Sequence, residues 1–151
     1  MQRIYLDACA LNRLSDDKSQ PRVAAEAEAV EKILRLVYLG QVTWSASIAM
    51  RLEVERNPDT EKRGDTLALL EFGAPIREID DSVRGRAEEL SRAGYGAFDA
   101  LHLDFAEADG AEVLLTTDDR FRRRAERGAG DPKVPVMNPI DWLKEATHGA
   151  G

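Results

Sequence analysis

Val113-Leu114-Leu115-Thr116-Thr117-Asp118-Asp119-Arg120-Phe121 is the stretch on which the fold turns. Its consecutive aliphatics suit a strand buried on both faces, as strands of a parallel sheet are. The two aspartates then stand where a helix would begin, because an Asp there accepts the unpaired N–H groups of the first turn. A short helix over Asp119–Glu126 is the continuation this predicts. Working outward, Ile4-Tyr5-Leu6 is a second short buried strand that also runs straight into a carboxylate, Asp7. Gln41–Ser45, Ile76–Ile79 and Val134–Val136 are further strand candidates, rich in β-branched and aromatic residues.

Helical patterns lie between them. Pro21 suits a first turn; Val23, Ala27, Val30, Leu34 and Val37 recur at helical spacing, and Gly40 is a natural stop. A helix from Ser47 to Arg56 is broken at Asn57-Pro58, since the residue before proline avoids the helical region. Helices are expected over Thr60–Phe72, over Asp81–Ala93 and Ala97–Asp109 on either side of Gly94-Tyr95-Gly96, and over Ile140–Ala146. Strands alternating with helices predict a three-layer α/β/α sandwich whose central sheet is mostly parallel, with about five strands. Residues 1–147 read as one domain, with a frayed tail over 148–151.

Composition is that of an ordinary globular chain: 43% hydrophobic and 32% charged argues against wholesale disorder. A single cysteine, Cys9, excludes an internal disulfide framework and fits a reducing compartment. Apolar runs are far short of the roughly 20 residues that span a bilayer, and Asp7 arrives before any signal-peptide core. The expected location is the cytoplasm, with no membrane partner. Acidic residues outnumber basic ones 28 to 21, giving a net charge of −7, an awkward balance for a nucleic-acid binder unless its arginines gather locally. They do cluster: Arg120, Arg122, Arg123, Arg124 and Arg127 in one run, Arg51, Arg56, Lys62 and Arg63 in a looser one.

In an open parallel sheet, ligands bind beyond the carboxyl ends of the strands. Asp7, Asp118 and Asp119 follow strands directly, Asp99 opens the helix after the Gly94–Gly96 break, and Glu53 and Glu55 lie on the helix after the second strand. Each has a plainer role available, as turn, cap or solvated charge. Together they would place repelling carboxylates at one end of the sheet, an arrangement that a cation relieves. An all-oxygen donor set favours Mg²⁺ or Mn²⁺. Asp7, Asp99 and one of Asp118 and Asp119 are therefore expected to stand close enough to share one. His102, three residues after Asp99 on the same helical face, reads as a supporting residue rather than a ligand.

Four segments, Ile4-Tyr5-Leu6-Asp7-Ala8-Cys9, Ser47…Glu53, Phe98-Asp99-Ala100-Leu101-His102-Leu103 and Leu115-Thr116-Thr117-Asp118-Asp119-Arg120-Phe121, make the chain resemble a PIN-domain ribonuclease. The resemblance implies an Mg²⁺- or Mn²⁺-dependent endoribonuclease, many such proteins being the toxin half of VapBC-type toxin–antitoxin pairs. It implies Asp7, Glu53, Asp99 and Asp118 as the acidic site, with Asp7, Asp99 and Asp118 on the metal. Thr116 would be a supporting hydroxyl, and Asp119 competes with Asp118, as Glu55 does with Glu53. Where the family often has Thr and Asn after its first Asp, Ala8 and Cys9 stand here, so Asn12 is the nearest amide. RNA is the implied substrate, with an antitoxin and a second copy of the chain open as protein partners. An RNA substrate would call for a basic rim, for which Arg51, Arg56, Arg120 and Arg123 are the candidates.

Other acidic-pocket folds fit less well. A phosphoaspartate phosphatase would want an Asp where Cys9 stands, and a receiver domain would want a Lys that Met137-Asn138-Pro139 does not offer. The competing reading is a PIN-like module that binds RNA or protein without turnover.

Overall fold

The computed structural model describes residues 2–73 and 76–148. Among them, four strands form one sheet: β1 (Gln2–Leu6), β2 (Val42–Ser45), β3 (Val113–Leu115) and β4 (Val136–Met137), all parallel in the order β2-β1-β3-β4. Helices α1 (Ala8–Asn12), α2 (Pro21–Tyr38), α3 (Ile48–Glu55), α4 (Thr60–Leu69), α5 (Asp81–Arg92), α6 (Ala97–Ala108), α7 (Asp119–Glu126) and α8 (Pro139–His148) surround it. Helix α2 packs on α8, α5 on α6, and α3 on both α4 and α6. Ile4, Tyr5 and Leu6 are fully buried, as they must be in a central strand covered on both faces. The three-layer α/β/α reading holds. The frayed tail expected over 148–151 falls at the edge of this description: His148 closes α8, and residues 149–151 lie outside the described ones.

The sheet has four strands where about five are expected. Ile76–Ile79 is the difference. Ile76 and Ile79 are 37% and 39% exposed, and only Arg77 pairs, bridging Ser47 with its N–H on the Ala46 carbonyl. That segment meets the chain just past the end of β2, where it is already turning into α3, so there is no strand left to extend the ladder. Ala74 and Pro75, which lead into it, lie outside the described residues. The last strand also falls later than the expected Val134–Val136. Pro135 has no N–H, but its carbonyl accepts from Leu114, and Thr116 N–H donates to Met137.

A connection missed by the sequence patterns matters more. Helix α1 starts immediately after β1, in a stretch too short for any helical periodicity to show. From β1 the chain passes to β2 on one side, and later to β3 on the other. The strand order therefore reverses between β1 and β3, opening a crevice at their carboxyl ends. Asp7 leaves β1 and Thr116-Thr117-Asp118 leaves β3 on the two sides of that crevice.

Candidate active site

Asp7 is pinned first by the backbone. Its N–H donates to the Leu115 carbonyl at 3.1 Å, tying the end of β1 to the end of β3. Its side chain, 1% exposed, caps α1: Oδ1 accepts from the Ala10 N–H at 2.9 Å. Burial pushes the carboxyl up to about 6 and Glu53 adds to this, while His102 and hydrogen bonds from Thr116 and Ala10 hold it down. Asp118 mirrors Asp7. It caps α7, Oδ1 accepting from Arg120 and Phe121 N–H at 2.9 and 3.2 Å, and its own N–H donates to Thr116 Oγ1 at 3.1 Å. Thr116 thus binds Asp118 and helps hold the Asp7 carboxyl down. Helix α7 is charged almost throughout and buries only Phe121 and Ala125, so this cap is held in place by the Phe121 ring, edge-on to Tyr95 at 5.9 Å.

Asp99 lies in the first turn of α6. Burial, then repulsion from Asp7 and Asp118, pushes it up to about 7, with Glu53 contributing and His102 opposing. The same four carboxylates bear on Cys9: burial first, then Asp7, Glu53, Asp118 and Asp99, drive its thiol far above the ordinary range. Without a cation among these carboxylates, Cys9 stays a protonated thiol and no thiolate nucleophile. The plainer roles turn out to be real: two aspartates cap helices and the third opens one. Capping engages only Oδ1 of Asp7 and of Asp118.

Neighbours sort the competing acids. Asp119 is held by the Arg22 guanidinium at 2.8 and 2.7 Å and by Arg122, which keeps its carboxyl down at about 2. Glu55 is exposed and paired with Arg51 at 3.0 Å. Glu53 instead faces inward, with Oε1 2.7 Å from His102 Nε2. Behind it runs a buried chain that sequence patterns did not reveal: His102 Nδ1 is 2.7 Å from Tyr5 Oη, which is 2.6 Å from Ser47 Oγ. Ser47 caps α3 by accepting from Met50 N–H. One direction satisfies every group: Ser47 donates to Tyr5, Tyr5 donates to His102 Nδ1, and the ring hydrogen on Nε2 meets Glu53. A tyrosine in a strand covered on both faces needs a partner for its hydroxyl, and that was the available signal. Tyr5→Phe should leave His102 Nδ1 buried and unpaired, at a cost of about 1–3 kcal/mol. A thermal melt should register it as a loss of roughly 2–10 °C; an unshifted melt would mean the chain carries no weight.

Among the described residues no three His, Cys, Asp or Glu side chains are gathered into a metal-holding group. The expected close approach of Asp7, Asp99 and Asp118 is thus met only as a shared electrostatic field. Asp7 and Asp118 turn Oδ1 to helix N–H groups, and Glu53 turns Oε1 to His102. In donor chemistry the set still fits a hard divalent cation, being carboxylates with a hydroxyl, and Arg13, Arg22 and Arg51 are engaged elsewhere. Arg22 holds Asp119, Arg51 holds Glu55, and Arg13 holds Glu26 and Asp16.

Of the expected basic rim, Arg51 is thereby neutralised. Arg56 lies over the Phe98 ring at 5.1 Å, and Phe98 in turn stacks on His102 at 6.3 Å, so this arginine is braced beside Asp99. Arg120 and Arg123 are exposed and have no ion-pair partner among the described residues.

Comparison with known proteins gives a family match and two fold likenesses. The family described as PIN domain matches residues 4–127. A solved structure of VapBC2 from Rickettsia felis, bound to a DNA fragment from their promoter, superposes with a TM-score of 0.56 at 16% identity, covering 91% of this chain and 98% of that one. PAE2754 from Pyrobaculum aerophilum gives 0.51 at 13% identity, covering 97% and 98%. At such identities the likeness is one of fold. No curated protein matches the chain.

Proposed function

This chain belongs to the PIN-domain family, and from that premise we propose that it is a metal-dependent endoribonuclease acting in the cytoplasm as the toxin of a toxin–antitoxin pair. One observation carries the reading. Asp7 and Asp118 leave β1 and β3 on the two sides of the crevice where an α/β sheet of this order binds its ligand, and, added to burial, their charges and that of Glu53 push the Asp99 carboxyl up.

Asp7, Asp99 and Asp118 would hold Mg²⁺ or Mn²⁺, with Thr116 orienting the two capping aspartates. A divalent cation there supplies polarisation of the scissile phosphodiester and a more acidic water. Glu53, fixed through Oε1 by His102, completes the ligand shell or orients the attacking water. Arg56, Arg120 and Arg123 draw the RNA backbone toward this end of the sheet. The lone Cys9 suits a reducing compartment, and no described helix is long and apolar enough to cross a membrane. The VapBC2 likeness supports looking for an antitoxin. A protein partner also has a surface to cover: Tyr38 and Phe72, 78% and 60% exposed, line one groove between α2 and the 3₁₀ turn after α4. That groove equally favours the second reading, a non-catalytic binding module. A second copy of the chain is another occupant to test by sizing.

The test is cleavage of single-stranded RNA in Mn²⁺ by the parent, with Asp99→Asn as control. Cleavage by the parent alone supports the nuclease; RNA binding without cleavage by either supports the module. Binding should also depend on salt. Neutralising three phosphates through Arg56, Arg120 and Arg123 implies a log–log slope of roughly −2 on single strands. Removing Arg120 and Arg123 together should flatten it by about 1.4. A slope unchanged in the double variant would place the RNA elsewhere.

A further inference from the structure

The end of β3 forms one wall of a second cavity, about 310 Å³, beside the acidic site. Thr117 and Asp118 line it from β3; Cys9 and Asn12 line it from α1, and Arg13 and Asp16 from the turn that follows. We propose that this cavity seats one unpaired nucleobase of the substrate, adjoining the phosphodiester at the carboxylates. The proposal rests on the nuclease reading above and adds to it a base preference.

Thr117 is the first reason. It is 5% exposed and lines the cavity, yet its hydroxyl has no hydrogen-bond partner among the described residues. A hydroxyl that opens onto a cavity with no partner in the protein is free to bond a ligand group there. The Asn12 amide, half-buried on the opposite wall, is likewise unpartnered among the described residues. It offers a donor and an acceptor side by side, the pattern that reads a base edge. The wall behind them is fixed. Arg13 donates to Asp16 and to the fully buried Glu26, each at 2.8 Å.

Charge then selects the ligand class. Asp16 and Asp118 outnumber Arg13, which is already paired, so a phosphate would be repelled. An apolar group would strand the Thr117 and Asn12 polar atoms. A flat, neutral group with donors and acceptors along one edge satisfies both limits, and the Cys9 sulfur gives its face a polarisable contact. The volume lies at the small end of ligand cavities. The base must be out of its stack to enter, so the substrate is single-stranded or looped RNA. The Asp16 carboxylate at the wall, whose Oδ1 Arg13 leaves open, favours bases bearing an exocyclic amine. Adenine, cytosine and guanine have one and uracil does not, so uracil is the poorest occupant.

The experiment measures cleavage of oligoadenylate, oligocytidylate and oligouridylate of equal length in Mn²⁺, for the parent, Thr117→Val, Thr117→Ser and Asn12→Ala. The readout is the ratio of the faster amine-bearing strand to oligouridylate, which a uniform loss of activity leaves unchanged. The parent should favour an amine-bearing strand by about tenfold, the discrimination of one good hydrogen-bonded pair. Thr117→Val and Asn12→Ala should each bring the ratio toward one, and Thr117→Ser should restore it. Equal rates on all three strands, or a ratio untouched by Val and Ala, would overturn the base seat while leaving the nuclease intact. If the parent cleaves none of them, the nuclease reading fails on its own. The seat is then decided by titrating the nucleosides adenosine and uridine and following the Thr117 and Asn12 amide signals. Adenosine-selective shifts support it and their absence overturns it.

Discussion

Asp99→Asn should melt at or above the metal-free parent, gain little from added Mn²⁺ and lose RNA cleavage. In the parent, burial and the charges of Asp7 and Asp118 raise Asp99 to about 7, and burial raises Asp7 to about 6. Both lie above the ordinary 3.8, so the folded protein binds these protons more tightly than the unfolded chain does. The sign follows directly. The carboxylates carry no penalty below about pH 4, and the metal-free fold loses stability as pH rises from there to about 7. Above that range a cation binding only the folded state should restore what repulsion removes. At a hundredfold excess over its dissociation constant this is about 2.7 kcal/mol, or roughly 5–10 °C of melting temperature. Asparagine keeps the shape, removes one repelling charge and removes one ligand. A variant less stable than the metal-free parent, with an undiminished Mn²⁺ shift, would show that Asp99 serves only the first turn of α6.

Much of the candidate site was legible because its residues also have local structural roles. Asp7 and Asp118 follow buried aliphatic strands, and an Asp in that position caps a helix whether or not it also serves a ligand. The cap roles were therefore readable from the residues, and the parallel sheet then brings the two caps together. Asp119 could not be separated from Asp118 in the same way. What distinguishes them is Arg22, 97 positions away, whose guanidinium is bound to Asp119. The chain behind Glu53 is equally non-local, joining Tyr5 to His102 across 97 positions and His102 to Glu53 across 49. Ile76–Ile79 misled for the opposite reason. Its β-branched residues favour extended backbone, and it is extended at Arg77, but strand formation needs an edge to join and β2 has ended by then.

The other large effect lies away from the crevice, where α6 packs on α5. Asp104→Asn should stabilise the protein at neutral pH and above by about 2–4 kcal/mol, and leave it nearly unchanged at pH 4. Asp104 is 3% exposed, and its Oδ2 has no hydrogen-bond partner among the described residues. Burial, then the nearby Glu107 charge, pushes its carboxyl up to about 7. Arg86 and the Ala87 N–H hold it down only in part, because the Arg86 guanidinium is turned to Glu107 at 2.8 and 3.0 Å and to Glu89 at 3.0 Å. The folded protein must therefore keep Asp104 protonated, or bury an uncompensated charge, at any pH above the value of the unfolded chain. The penalty is absent below about pH 4, grows until about pH 7 and is constant beyond, because the folded state then ionises too. Asparagine has nearly the same volume and no charge, so its advantage should follow that curve. Urea unfolding of parent and variant between pH 4 and 8 measures it directly. Two stability curves running parallel across that range would mean that Asp104 ionises in the folded state as readily as in water, and that the α5–α6 contact is wetter than its packing indicates.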